Sequence, residues 1–133
     1  MIVAIGRLRP PFVDDVAHYA RMLGRYTRLE LIEARDDEQA ARRVPERAHV
    51  VLLDIGGRML DSVDFSRMLE RRRASGVNLC FVIGGPFGAP ALTRVDERLS
   101  FGPITLPHQL ARVVLLEQLY RAHKLIAGEP YHH

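Results

Sequence analysis

The sequence predicts one α/β domain, a mainly parallel sheet flanked by helices. Short apolar runs alternate with stretches of helical periodicity from end to end. The runs 50–55 and 79–83 are apolar almost without interruption, as strands covered on both faces are. Glycine or proline follows the main runs, and no repeat, linker or low-complexity segment divides the chain.

Residues 2–5 read as a first strand that stops at Gly6. Pro10 and Pro11 open a helix on which Phe12, Val16, Tyr19 and Leu23 recur at helical spacing. Residues 29–33 alternate like a half-buried strand, and the polar stretch 36–47, with Pro45, allows a short helix and a turn. Residues 50–55 form a central strand ended by Gly56 and Gly57. Asp61 or Ser62 caps a helix carrying Phe65, Met68 and Leu69, with Gly76 as its stop. Residues 79–83 form a second buried strand, ended by Gly84, Gly85 and Pro86. A short helical piece is expected at 91–98 and a last strand at 104–106. Pro107 starts the longest helix, which runs to about Ala127, with Gly128 and Pro130 beyond it. Leu110, Val113, Leu116, Leu119 and Ile126 spread around most of that helix. In so small a domain, some of their burial is expected from a second subunit.

At 133 residues and 47% hydrophobic content, one core can form without staples. No apolar run approaches the roughly 18–20 residues of a membrane helix, and Gly6, Arg7 and Arg9 interrupt any signal-peptide pattern. The lone Cys80 sits in an apolar run, which suits a buried free thiol in a reducing compartment. A cytoplasmic protein is expected. The net charge of +3 permits an anionic partner without identifying one. Every basic residue but Lys124 is arginine, and Arg71-Arg72-Arg73 reads either as a solvated last helical turn or as a phosphate contact.

Ligands of open α/β sheets lie beyond the C-terminal strand ends. Three segments there are rich in glycine or proline: Leu53-Asp54-Ile55-Gly56-Gly57, Gly84-Gly85-Pro86-Phe87-Gly88 and Phe101-Gly102-Pro103-Ile104-Thr105-Leu106. Each alone is an ordinary turn; together they point to a site. Neither a G-x-G-x-x-G nor a phosphate-loop motif occurs, which disfavours dinucleotides and nucleoside triphosphates in their usual modes. The histidines have no metal-ligand spacing with Cys80, so no metal is expected. The tail Pro130-Tyr131-His132-His133 is either frayed or a place where an aromatic face and a titrating imidazole handle a nucleobase.

Several strings together resemble one family. They are Ile2-Val3-Ala4-Ile5-Gly6, Val51-Leu52-Leu53-Asp54-Ile55 and Phe81-Val82-Ile83-Gly84-Gly85-Pro86-Phe87-Gly88. The C-terminal ones are the more specific: Thr105-Leu106-Pro107-His108-Gln109-Leu110-Ala111-Arg112-Val113, Leu116-Glu117-Gln118-Leu119-Tyr120-Arg121-Ala122 and Pro130-Tyr131-His132. Nearly the whole chain resembles the RlmH-type (YbeA-like) SPOUT RNA methyltransferases.

The resemblance implies a single SPOUT domain over residues 1–133, a C-terminal trefoil knot at about 80–127, and a homodimer whose knots face each other. It implies S-adenosyl-L-methionine bound in the knot by Leu53, Gly85, Phe101, Gly102, Pro103, Ile104, Thr105 and Leu106. The implied reaction methylates N3 of a pseudouridine in large-subunit (23S) ribosomal RNA, on the assembled ribosome. His132 is then the expected base or orienter and Tyr131 the residue packing on the nucleobase. His108 would shape the knot. Arg121 would hold phosphate or the flipped nucleotide, or instead pair with Glu117 at i,i+4. Two departures stand out: the stretch between Glu33 and His49 is short for the family, and the basic residue that usually follows Tyr-His is replaced by His133. The rival readings are a SPOUT enzyme acting on tRNA and a non-catalytic RNA- or nucleotide-binding assembly factor.

Overall fold

The computed structural model describes residues 1–88 and 90–131. Five strands form one sheet: β1 (Ile2–Ile5), β2 (Leu31–Ala34), β3 (His49–Met59), β4 (Leu79–Ile83) and β5 (Glu97–Ser100). Their order is β2-β1-β4-β3-β5, and every named pair is parallel. The helices are α1 (Val13–Leu23), α2 (Asp37–Arg43), α3 (Ser62–Ala74) and α4 (His108–Ile126). None of them is long and apolar enough to cross a membrane.

Side chains alternate across a strand, so each central strand feeds two cores. Ile2, Ala4, Phe81 and Ile83 pack with α1, α3 and α4, where Leu115 and Leu116 are almost fully buried. Val3, Val50, Leu52, Cys80 and Val82 pack on the opposite face with Ala40 of α2. The thiol of Cys80 is free and buried, and burial raises its pKa. It is an inert core residue.

Three parts of the chain depart from the sequence-based expectations in kind, and a fourth, β2, in its bounds. First, β3 does not stop at Gly56 and Gly57 but runs on to Met59. Leu53 and Arg58 both pair with Leu99, so residues 54–57 bulge out of the ladder. Gly57 is required there: a Cβ would lie 2.7 Å from the backbone of Arg98 and Leu99. Gly57→Ala should therefore destabilise the domain by about 1–3 kcal/mol, seen as a lower urea midpoint at unchanged slope.

Second, the expected helical piece at 91–98 is a loop leading into β5. Arg94 holds that loop to the start of β3 by donating to the carbonyls of Ala48 (2.6 Å) and Glu46 (2.9 Å). β5 has few apolar residues because its charges are matched individually. Glu97 accepts from Arg72 (2.9 Å) and lies 2.8 Å from His49, while Arg98 donates to Asp54 (2.9 Å). Third, residues 104–106 form no strand; the segment is an open loop entering α4. β2 starts two residues later than the alternation suggests.

Candidate functional site

The bulge of β3 and the C-terminal ends of β4 and β5, with the first turn of α4, border an open cavity of about 550 Å³. That size suits a small-molecule ligand. Leu53, Gly85, Phe101, Gly102, Ile104, Thr105 and Leu106 all line it, whereas Pro103 does not. Asp54 and Pro86, from two of the three glycine- or proline-rich segments, also line it, as do His108, expected only to shape the knot, and Ala111, which the sequence did not mark for it.

The loop 101–106 has polar backbone to offer. Gly102 N–H donates to Ser100 Oγ (3.1 Å), and Ser100 Oγ donates to the Gly102 carbonyl (3.1 Å). Among the described residues, Ile104, Thr105 and Leu106 make no backbone–backbone hydrogen bonds outside regular elements. Unpaired amides donate and unpaired carbonyls accept, and beside an apolar cavity they form the set that reads the edge of a heterocycle. Gly85 lines the cavity and also lies against the end of β1. A Cβ would point at Ile5, 3.0 Å from its Cγ2, so Gly85 lets the β4 loop close on the end of β1.

The start of α4 grips the loop after β1. Arg112, only 6% exposed, donates to the carbonyls of Ile5 (3.0 Å) and Gly6 (2.6 Å) and to Glu33 (3.0 Å). Glu33 in turn accepts from the Leu8 amide. Gln109 accepts from the Arg9 amide (2.7 Å) and donates to the Arg7 carbonyl (3.0 Å). The Gln109 and Arg112 of the C-terminal string thus bind residues roughly 100 positions earlier. His108 stands beside them. Desolvation first, then Arg112 and Arg9, lower its pKa from the ordinary histidine value and so favour the neutral imidazole.

A second cluster lies further along α4. Arg121 donates to Glu117 through Nε (2.9 Å) and Nη2 (2.6 Å), and the Tyr131 hydroxyl donates to the same carboxylate oxygen (2.8 Å). Gln118 donates to the other oxygen (2.7 Å) and accepts from Ser62 (2.7 Å). The Arg121 guanidinium lies 4.1 Å from the Tyr131 ring centroid, and the Tyr120 ring meets that ring edge-on at 5.6 Å. Burial, then the hydrogen bond to Glu117, push the phenol up to about 12, so it stays protonated and donates. Tyr131 is docked on α4 rather than frayed.

The model for the family described as "Predicted SPOUT methyltransferase" matches residues 1–132. The chain belongs to the SPOUT methyltransferase family. Relatives named ribosomal RNA large subunit methyltransferase H match over nearly the full length of both chains. The protein from Rubrobacter xylanophilus is 48% identical over 98% of this chain and 96% of its own. That from Solidesulfovibrio magneticus is 44% identical over 99% and 97%. That from Listeria monocytogenes serotype 4a is 38% identical over 98% and 97%. The last alignment runs over 154 positions, more than the chain's 133 residues, so that relative carries internal residues absent here. The crystal structure of TrmJ from Z. mobilis ZM4 shares the fold at TM-score 0.55 and 9% identity, covering 99% of this chain and 71% of that one.

Seven of the eight residues expected at the cofactor thus gather around one cavity of this SPOUT domain. Tyr131 and Arg121 come together elsewhere, and His132 lies outside the described residues. Of the two alternatives for Arg121, the structure shows the i,i+4 pair with Glu117, which also carries the guanidinium against the Tyr131 ring. Glu117, the hub of this cluster, was legible only as an i,i+4 partner; its tyrosine and glutamine contacts needed the fold.

Two histidines of α4 make stability depend on pH. His123, like His108, has its pKa lowered, by desolvation first and then by Arg73. Between the folded and unfolded pKa values the unfolded chain binds more protons, so stability rises with pH. The contribution is complete above about 6.5 and is lost as pH falls through the lower folded values. Denaturant midpoints should fall from pH 7 to pH 5, and the fall should shrink in His123→Gln.

Proposed function

We propose that the chain is a cytoplasmic, S-adenosyl-L-methionine-dependent methyltransferase of 23S ribosomal RNA. Its target is N3 of a pseudouridine, reached on the large subunit of the assembled ribosome. The observation that carries this reading is the cavity at the strand ends, walled by the backbone-rich loop 101–106. The names of the full-length relatives support ribosomal RNA as the substrate.

The residues present fit the cofactor. Apolar walls from Leu53, Leu99 and Ile104 suit the adenosine body, and the free backbone of residues 104–106 suits a purine edge. When bound, S-adenosyl-L-methionine supplies an electrophilic methyl on its sulfonium. The protein's share is alignment, which is worth up to ~7–11 kcal/mol in well-oriented systems. The N3 proton must also leave, and we assign its acceptance or orientation to His132. Tyr131 positions the nucleobase, with Arg121 contributing a cation for phosphate.

The two clusters cannot serve one nucleotide within a single chain. Arg121 lies roughly 20 Å along α4 from His108, at ~1.5 Å per residue, whereas transfer needs reacting atoms ~3–3.5 Å apart. The proposal therefore includes a homodimer in which one protomer's cavity meets its partner's tail, with each C-terminal segment knotted over about 80–127. The outer face of α4, where Leu110, Val113 and Val114 are half-buried, is the proposed interface.

Methyl-labelled S-adenosyl-L-methionine should be incubated with the protein and assembled ribosomes, large subunits, free ribosomal RNA or tRNA. Label in 23S RNA, recovered as N3-methylpseudouridine by nucleoside mass spectrometry, is the expected result. Label in tRNA would replace the target. No label anywhere, with no calorimetric heat from the cofactor or its demethylated product, would leave the non-catalytic reading.

A further inference from the structure

At the opposite end of the sheet, below the N-terminal ends of β1 and β4, lies a larger groove of about 750 Å³. β4 alone separates the two ends by roughly 16 Å, at ~3.3 Å per residue. The groove's floor is apolar, built from core residues such as Leu23, Phe81 and Leu119. Its rim carries Arg28, Arg47 and Arg73, all exposed. Among the described residues, none of the three takes part in a salt bridge, whereas Arg42, Arg67, Arg72, Arg94, Arg98 and Arg112 do. Among the described residues, Glu30 is the sole carboxylate lining the groove. Asn78 and the half-buried His123, stacked near Tyr26 at 6.1 Å, add groups that hydrogen-bond in both directions.

We propose that this groove is a second RNA site, holding an unpaired nucleotide of the ribosomal RNA with its base on the apolar floor and its flanking phosphates on Arg28, Arg47 and Arg73. The charge pattern decides the occupant. Three cations in no salt bridge among the described residues, set around an apolar floor, match a splayed base flanked by phosphates, the form in which RNA is read most often outside helices. Guanidinium suits phosphate oxygens geometrically as well as by charge. The site also gives a small domain a second anchor remote from its cavity. The RNA assignment rests on the proposed function; the groove and its charges do not.

The test compares wild type with Arg28→Gln/Arg47→Gln/Arg73→Gln and with the corresponding triple lysine variant. The probe is a fluorescein-labelled single-stranded 12-nucleotide RNA, titrated by anisotropy over a range of salt. Losing three phosphate contacts should lower the magnitude of the log–log salt slope by ~2, at ~0.7 per contact for single strands. Affinity at low salt should fall by roughly 10–100-fold, and the lysine variant should retain most of it. In methyl-transfer assays on ribosomes, KM should rise while kcat holds, and cofactor affinity should not change. Wild-type slope and affinity in the glutamine variant would overturn the proposal. So would equal displacement of the RNA by polyglutamate of matched charge, which would point to an acidic protein, or a shift from dimer to monomer in sedimentation. If wild type methylates no RNA, the proposed function falls, but the oligonucleotide titration still decides the groove.

Discussion

Deleting Tyr131 to His133 is expected to abolish methyl transfer while leaving affinity for S-adenosyl-L-methionine within about twofold of wild type. The reason is spatial. No residue of the Glu117–Arg121–Tyr131 cluster lines the cavity, so removing Tyr131 takes nothing from its walls. It does remove the phenol that shares Glu117 with Arg121, and with it the aromatic face on which that guanidinium stacks. His132→Ala alone should cost on the order of 10²–10⁴ in kcat if the imidazole accepts the N3 proton, and less if it only orients the base. A true base imposes an acidic limb on the pH–rate profile that the alanine variant lacks. Complementation separates this reading from simple damage. A tail-deleted chain and a cavity variant, Leu53→Arg, should each be inactive. Mixed and refolded together, they should regain a measurable fraction of activity, because some dimers pair an intact cavity with an intact tail. No recovery, from mixed dimers shown to form, would mean that the cavity and the tail do not combine across subunits. Full activity in the truncated chain would remove the tail from the mechanism.

Arg112→Met is expected to lower stability by about 3–5 kcal/mol, a drop of roughly 10–20 °C in Tm for a domain of this size. The substitution keeps the aliphatic stem and deletes a buried guanidinium that satisfies two carbonyls and Glu33. Those carbonyls then lack a donor in a region that water does not reach freely, and that desolvation cost dominates. Glu33 is 46% exposed at its side chain and can rehydrate, which holds the loss toward the lower end of the range. The effect should reach the cavity too. Gly85 closes on Ile5, whose carbonyl Arg112 holds, so a loosened β1 end should weaken cofactor binding. A second readout comes from His108, whose pKa Arg112 helps to depress. Its imidazole resonances should titrate at higher pH in the variant, even where Arg112→Gln is needed to keep the chain folded. A stability loss below 1 kcal/mol would show that the clamp is dispensable.

Much of the fold was legible because its signals are local. The buried runs at β1 and β4 have no polar interruption, and a strand covered on both faces needs none. Asp61 caps α3 through the Asp64 amide, and Gly76 follows its end at a φ of 77°, as the capping chemistry of the sequence indicates. Segments whose partners lie far away in sequence read wrongly. Glu97 and Arg98 look like helical surface residues until His49, Arg72 and Asp54 neutralise them and make a strand. Gly56 and Gly57 look like terminators, yet Gly57 is there because the β5 backbone passes too close for a Cβ.

The candidate site divides the same way. The sequence by itself determined which loops converge, since parallel strands put their C-terminal ends on one side, and the family strings marked those ends. Tertiary structure decided the rest: that Pro103 stays out of the cavity, that Gln109 and Arg112 bind the loop after β1, and that Tyr131 and Arg121 gather on Glu117, well along α4 from the cavity. Each of these depends on hydrogen bonds and close approaches between residues distant in the chain. Local propensity and periodicity carry no record of such distances, because they report the preferences of a segment and not the identity of its neighbours.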